Sequence, residues 1–161
     1  MIAILAASSV LISGVVDDLR SRKFHNWLFL GCLAFGLLFV LATGGVSALP
    51  MAFLGLAGGI AVFLPLVLLK IVGAGDMKLM GAFGLVAGWD AVLVTAFWSL
   101  IWGAIFGVVA VIARGHFKTL VHNMFSIVVV RERQGLELQK IPFTIAMLMG
   151  WLSHLVLRGV L

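Results

Sequence analysis

The sequence predicts an all-α integral membrane protein with six transmembrane helices in a single domain, residues 1–161. Three observations predict it. Of the 161 residues, 63% are hydrophobic and only 11% are charged, against about 45–50% and about 25% in a soluble domain. Mean hydropathy is +1.25. The apolar residues also fall in long runs, which point to helices rather than to the alternation of a barrel. The net charge of +5 would suit a nucleic acid. The basic residues, however, cluster between apolar segments as the positive-inside rule expects, so membrane lipid is the predicted surround and no nucleic acid is predicted.

Segment one runs from about Ile2 to Val16 and continues into Asp17-Asp18-Leu19 to reach a spanning length. It carries no basic n-region, which predicts a retained helix rather than a cleaved signal. A polar stretch from Asp17 to Asn26 holds Arg20, Arg22 and Lys23. Segment two covers about Trp27 to Ala42, and an uncharged turn from Thr43 to Pro50 follows. Segment three runs from Met51 to about Val72, with Pro65 as the place for a kink. Segment four, about Met77 to Ala87, is short, and Trp89-Asp90 breaks the apolar run after it. Segment five covers about Ala91 to Ala113, and segment six about Ile141 to Leu157.

The polar connection between the last two segments spans 113–140. Phe117, Leu120, Val121, Met124 and Val128 recur in it at helical spacing, which predicts an amphipathic helix at the membrane interface. The spacings Gly55/Gly59, Gly84/Gly88 and Gly103/Gly107 predict helix-packing faces. Trp27 and Trp89 suit interface anchors.

Ten of the basic residues fall in or beside the first, third and fifth connections, and only Arg158 lies elsewhere. Those connections are therefore expected on the cytoplasmic side, with both termini outside. Asp17, Asp18 and Asp76 then share one face and Asp90 lies at the other.

The centre of the chain is Gly73-Ala74-Gly75-Asp76-Met77-Lys78-Leu79. A carboxylate beside a membrane segment is expensive, by about 2.5–3.5 kcal/mol at a helix centre on insertion scales. Glycines at 73 and 75 predict a tight loop that presents Asp76. Two carboxylates held close share a proton. The ionised one takes a proton from water while the protonated one polarises a peptide carbonyl, the aspartic-protease pattern. Asp18 is the candidate partner, and Asp17 is the neighbouring alternative. Lys78 could bias the charge on Asp76 or snorkel to the interface. The single cysteine, Cys32, and four histidines without ligand spacing predict no metal. A proton-coupled transporter or channel is the reading from another class, since intramembrane carboxylates also relay protons. An inactive assembly scaffold is a third.

The glycine-aspartate stretch resembles the Gly-x-Gly-Asp-x-Lys-Leu signature of type IV prepilin peptidases, the GxGD membrane aspartic proteases. In that family a second aspartate opens a stretch of the form Asp-x-Arg-x-x-x-Ile-Pro-Asn after the first helix. Asp18-Leu19-Arg20-Ser21-Arg22-Lys23-Phe24-His25-Asn26 resembles it, with Asp18, Arg20 and Asn26 matching and Phe24 and His25 in place of Ile and Pro. Lys140-Ile141-Pro142-Phe143 resembles the family's start of its last helix.

The resemblance implies Asp18 and Asp76 as the catalytic pair, Gly73 and Gly75 as loop-shaping residues, and Lys78, Arg20 and Asn26 in support. It implies cleavage of prepilin or pseudopilin leaders at the cytoplasmic face of the bacterial inner membrane, with no cofactor. The chain's size resembles the small members that process Flp/Tad pilins, and it lacks the paired CxxC segment of the bifunctional members. Peptidase activity without methyl transfer is therefore implied.

Overall fold

The computed structural model describes residues 1–21, 25–113 and 143–159. Among them lie six α-helices, one short 3-10 turn and no strand. They are α1 (Ile2–Ser21), α2 (Asn26–Gly44), α3 (Leu49–Leu68), α4 (Ala74–Ala87), α5 (Trp89–Ala113) and α6 (Phe143–Leu157), with the 3-10 turn at Val46–Ala48. Four stretches are long and apolar enough to cross a membrane: Ile2–Ser21, Asn26–Gly44, Val46–Leu68 and Trp89–Ala110. At 1.5 Å per residue each is about 30 Å long, the thickness of the hydrocarbon layer. The chain is an all-α membrane protein. The interfacial helix expected over 117–128 lies outside the described residues, as do Arg22, Lys23 and Phe24.

The outward faces of the long helices carry Leu5, Ile12, Leu30, Leu38, Leu54, Phe97, Ile105 and Val109, all exposed. Water would not tolerate such a belt on a monomer. Lipid does, because every backbone donor and acceptor is satisfied inside its own helix.

The short α4 is the hub. Leu79 through Leu85, seven residues in a row, are all buried. A helix at the edge of a bundle buries one stripe, whereas burial all round means neighbours on every side. α4 packs against α1, α2, α3 and α5. Its 14 residues are about 21 Å long, too short to cross alone, and its surroundings are protein instead of lipid.

Glycine makes the closest of these contacts possible. Gly55 of α3 lies backbone to backbone against Gly84 of α4, and Gly59 lies against Met80 and Gly81. These are the small-residue faces expected from the spacing, and they let the two helix axes approach. Gly103 makes room for the ring of Phe143, whereas among the described residues nothing lies within 4 Å of a Cβ at Gly107.

The helix ends differ from the sequence expectation in three places. α3 stops at Leu68 rather than near Val72. The amide of Ile71 donates to the carbonyl of Leu66 and that of Lys70 to Val67, with Lys70 at φ 57°. That is a Schellman closure with a lysine in the left-handed position that glycine usually fills. The loop before Asp76 is also shorter than expected, since α4 already begins at Ala74. Gly88, at φ 84°, breaks the chain before α5, and Trp89 and Asp90 start that helix.

Candidate functional site

The start of α2 is tied to the end of α1 by the bond from His25 to Asp17 and to the start of α4 by the bond from Lys78 to Asn26, so α1 and α4 run antiparallel. Gly14 packs against Leu79: a Cβ at Gly14 would lie 2.5 Å from a Leu79 methyl. Asp18 lies one turn beyond Gly14 toward the C-terminal end of α1. Asp76 lies three residues before Leu79, in the first turn of α4. From that contact, one step of about 6 Å and one of about 4.5 Å lead in the same direction. Both carboxylates therefore emerge at the same end of the bundle. Asp90 belongs to the other end, some 20 Å away along α4.

Asp76 is the third residue of its helix. Its Oδ2 accepts the amide of Gly73 at 3.1 Å, so the carboxylate caps the helix that carries it. The helix dipole favours negative charge at this place. The reason for glycine at 73 is space. Its φ is −76°, a value open to any residue, but a Cβ there would sit 3.1 Å from the Asp76 Oδ2. Gly75 is within the first turn of α4 and is not among the positive-φ glycines. The conformational freedom expected of this pair is thus not used; left-handed backbone occurs just upstream, at Lys70.

Asp18 is half-buried near the end of α1. Its Oδ2 accepts the hydroxyl of Thr144, at 2.9 Å, from the first turn of α6. Its neighbour Asp17 is engaged elsewhere. The Asp17 carboxylate accepts the backbone amide of His25 at 2.9 Å and lies 2.9 Å from the His25 Nδ1. This clip ties the end of α1 to the start of α2. His25, standing where the resembling motif has a proline, holds the connection through side-chain bonds instead of through a rigid ring. It also distinguishes the two adjacent aspartates: one is a structural tie, the other points toward α6.

Of the supporting candidates, Lys78 and Asn26 meet. Lys78 Nζ donates to Asn26 Oδ1 at 2.7 Å and sits 5.9 Å from the centre of the Phe29 ring. The lysine thereby joins the second turn of α4 to the first turn of α2, with a cation–π contact added. Replacing Lys78 with Met should lower stability by about 0.5–1.5 kcal/mol, the worth of one such bond, seen as a small drop in the melting temperature of the detergent-solubilised protein. Arg20 is exposed in the last turn of α1, where a positive charge suits the helix dipole.

The site residue that the sequence did not single out is Thr144. It follows Ile141-Pro142-Phe143, but nothing in its neighbours signals a partner 126 positions away. Among the described residues no cluster of three or more His, Cys, Asp or Glu side chains could hold a metal. Cys32 is buried in α2, with its Sγ 3.6 Å from Ser13 Oγ.

No curated protein and no solved structure gives a match. The model of the type IV leader peptidase family matches residues 5–108, a stretch that includes Asp18 and Asp76 and ends before α6. The matched stretch is well over half of the chain, its helices are those of a membrane protein, and such peptidases act on precursor proteins: the chain belongs to the type IV leader peptidase family.

Proposed function

We propose that this chain is a membrane aspartic endopeptidase that removes the leader from type IV prepilin or pseudopilin precursors, with Asp18 and Asp76 as its catalytic pair. The observation that carries the reading is that the end of α1 and the start of α4, packed together at Gly14 and Leu79 and both tied to the start of α2, carry one aspartate each at one end of the bundle. The family match supports a leader peptidase, and the chemistry of paired carboxylates supplies the mechanism. The pair shares one proton. Its ionised member accepts a proton from the attacking water, and its protonated member donates to the scissile carbonyl oxygen. The oxygen of water bonds to the carbonyl carbon, the tetrahedral adduct collapses, and the leaving amine takes a proton from the pair.

The positive-inside charge pattern supports a cytoplasmic position for this end of the bundle, and the membrane in this reading is the bacterial inner membrane. The precursor's hydrophobic helix then lies in lipid beside the bundle while its leader stays in the cytoplasm. Lys78 and Asn26, bonded to each other, brace α4 beside α2. No cofactor takes part, and no methyl transfer follows cleavage.

Co-expression with a prepilin tests the reading through a mobility shift and N-terminal sequencing of the product. The expected product begins with the hydrophobic pilin helix, freed of its leader. Several prepilins left uncut by a well-expressed protein would overturn the peptidase reading and favour a scaffold or a transporter.

A further inference from the structure

We propose that Thr144 is a positioning residue for Asp18, and that the first turn of α6 is thereby part of the active-site frame. The inference rests on the peptidase reading above and deepens it. It concerns a residue outside the stretch matched by the family.

The two partners are unequal in surroundings. Asp18 is half-buried at a helix end, next to exposed Leu19 and Arg20. A side chain in that position has solvent on one side and several rotamers open to it. Thr144, in contrast, is only 1% exposed. A threonine in a helix can spend its hydroxyl on its own preceding turn. This one donates across the bundle to Asp18 Oδ2 at 2.9 Å. The first turn of α6 is itself fixed by packing. Phe143 meets Phe63 of α3 edge to face, at 5.9 Å between centroids, and a Cβ at Gly103 of α5 would come within 2.6 Å of the Phe143 ring. Met147, one turn on, is fully buried. A buried anchor therefore holds a half-buried carboxylate.

That matters because a base must lie within hydrogen-bond reach of the water it deprotonates. A misplacement of about 1 Å can lower the rate about 10²-fold. With Oδ2 held by Thr144, the carboxylate has one oxygen fixed and the other left for chemistry. The bond also gives the buried Thr144 hydroxyl an acceptor.

Thr144→Val keeps the shape and removes the hydroxyl, whereas Thr144→Ser keeps the hydroxyl. In steady-state cleavage of a prepilin, Thr144→Val is expected to lower kcat by about 30- to 100-fold with KM unchanged, and Thr144→Ser to stay within about 3-fold of wild type. A second readout needs no substrate. In infrared difference spectra, the carboxylate band that Asp18→Asn removes should move in Thr144→Val and stay in place in Thr144→Ser. A Thr144→Val protein with wild-type kcat, or with an unmoved Asp18 band, would overturn the positioning role. Failure of the wild type to cleave would instead count against the peptidase reading, and the infrared comparison would still decide whether Thr144 holds Asp18.

Discussion

Asp18→Asn and Asp76→Asn should each abolish leader cleavage, lowering the rate by at least about 10³-fold, while the protein still inserts and folds. The magnitude is that of removing a positioned acid–base group. The change is isosteric at both sites, so the local bonds survive in part. The amide oxygen of an Asn at 76 can still accept from Gly73, the bond that caps α4. An Asn at 18 can still accept from Thr144. What neither can do is take a proton from water. Asp17→Asn provides the contrast. Its carboxylate is committed to His25, so its loss should loosen the connection between α1 and α2 and leave cleavage within about 10-fold of wild type. Immunoblots of membrane fractions alongside the mobility shift would separate lost chemistry from lost protein. Cleavage that needed Asp17 but not Asp18 would move the pair by one residue and contradict the assignment.

A bulky residue at Gly84 should have the second large effect, and it should act on folding. A Cβ there would meet the backbone of Gly55, with its carbonyl carbon at 2.7 Å, and the Val92 methyl at 2.8 Å. Gly55 faces the same restriction in return, with the Gly84 carbonyl carbon at 2.9 Å. Rotation of a side chain cannot relieve a clash with backbone, so α3 and α4 must separate. Gly84→Val should cost about 3 kcal/mol or more. α4 is both the hub of the bundle and the carrier of Asp76, so activity falls with it. Gly107→Ala is the control, because among the described residues nothing lies within 4 Å of a Cβ at that position. Thermal unfolding in detergent should show a strongly lowered midpoint for the first and an unchanged one for the second.

The helical membrane fold was legible because lipid imposes one simple rule: a spanning backbone must satisfy its own hydrogen bonds, so long apolar runs become helices. The run from Trp89 to Ala110 and the glycine face at 55 and 59 needed no tertiary knowledge. Helix ends were harder. α3 closes at Leu68 through Lys70 in a left-handed conformation, a position where glycine is the usual signal and lysine gives none. The glycines at 73 and 75 suggested an unusual backbone. The reason found at Gly73 is instead the closeness of the Asp76 carboxylate, a fact about a side chain three residues on.

The bonds that hold Asp17 and Asp18 were not legible in periodicity or composition. Which aspartate of the Asp17-Asp18 pair is structural depends on His25 reaching back across the turn. The tie from Thr144 to Asp18 joins the two ends of the chain. Periodicity and composition carry no information about such contacts, because they depend on how α1 and α6 sit against each other. The central role of α4 was similarly hidden. A short segment with a carboxylate at its start reads as a marginal span, and only burial on every side reveals it as the core.

In the proposed mechanism Asp18 and Asp76 work as one unit. The most direct test is the rate of prepilin cleavage by the purified protein in liposomes, for each single Asn variant and for the double variant. Groups that share one proton and one water are strongly non-additive. The double variant should therefore retain the same residual rate as either single variant. Losses that multiply, with the double variant slower than each single by the product of their effects, would mean two independent roles and would contradict a shared catalytic pair.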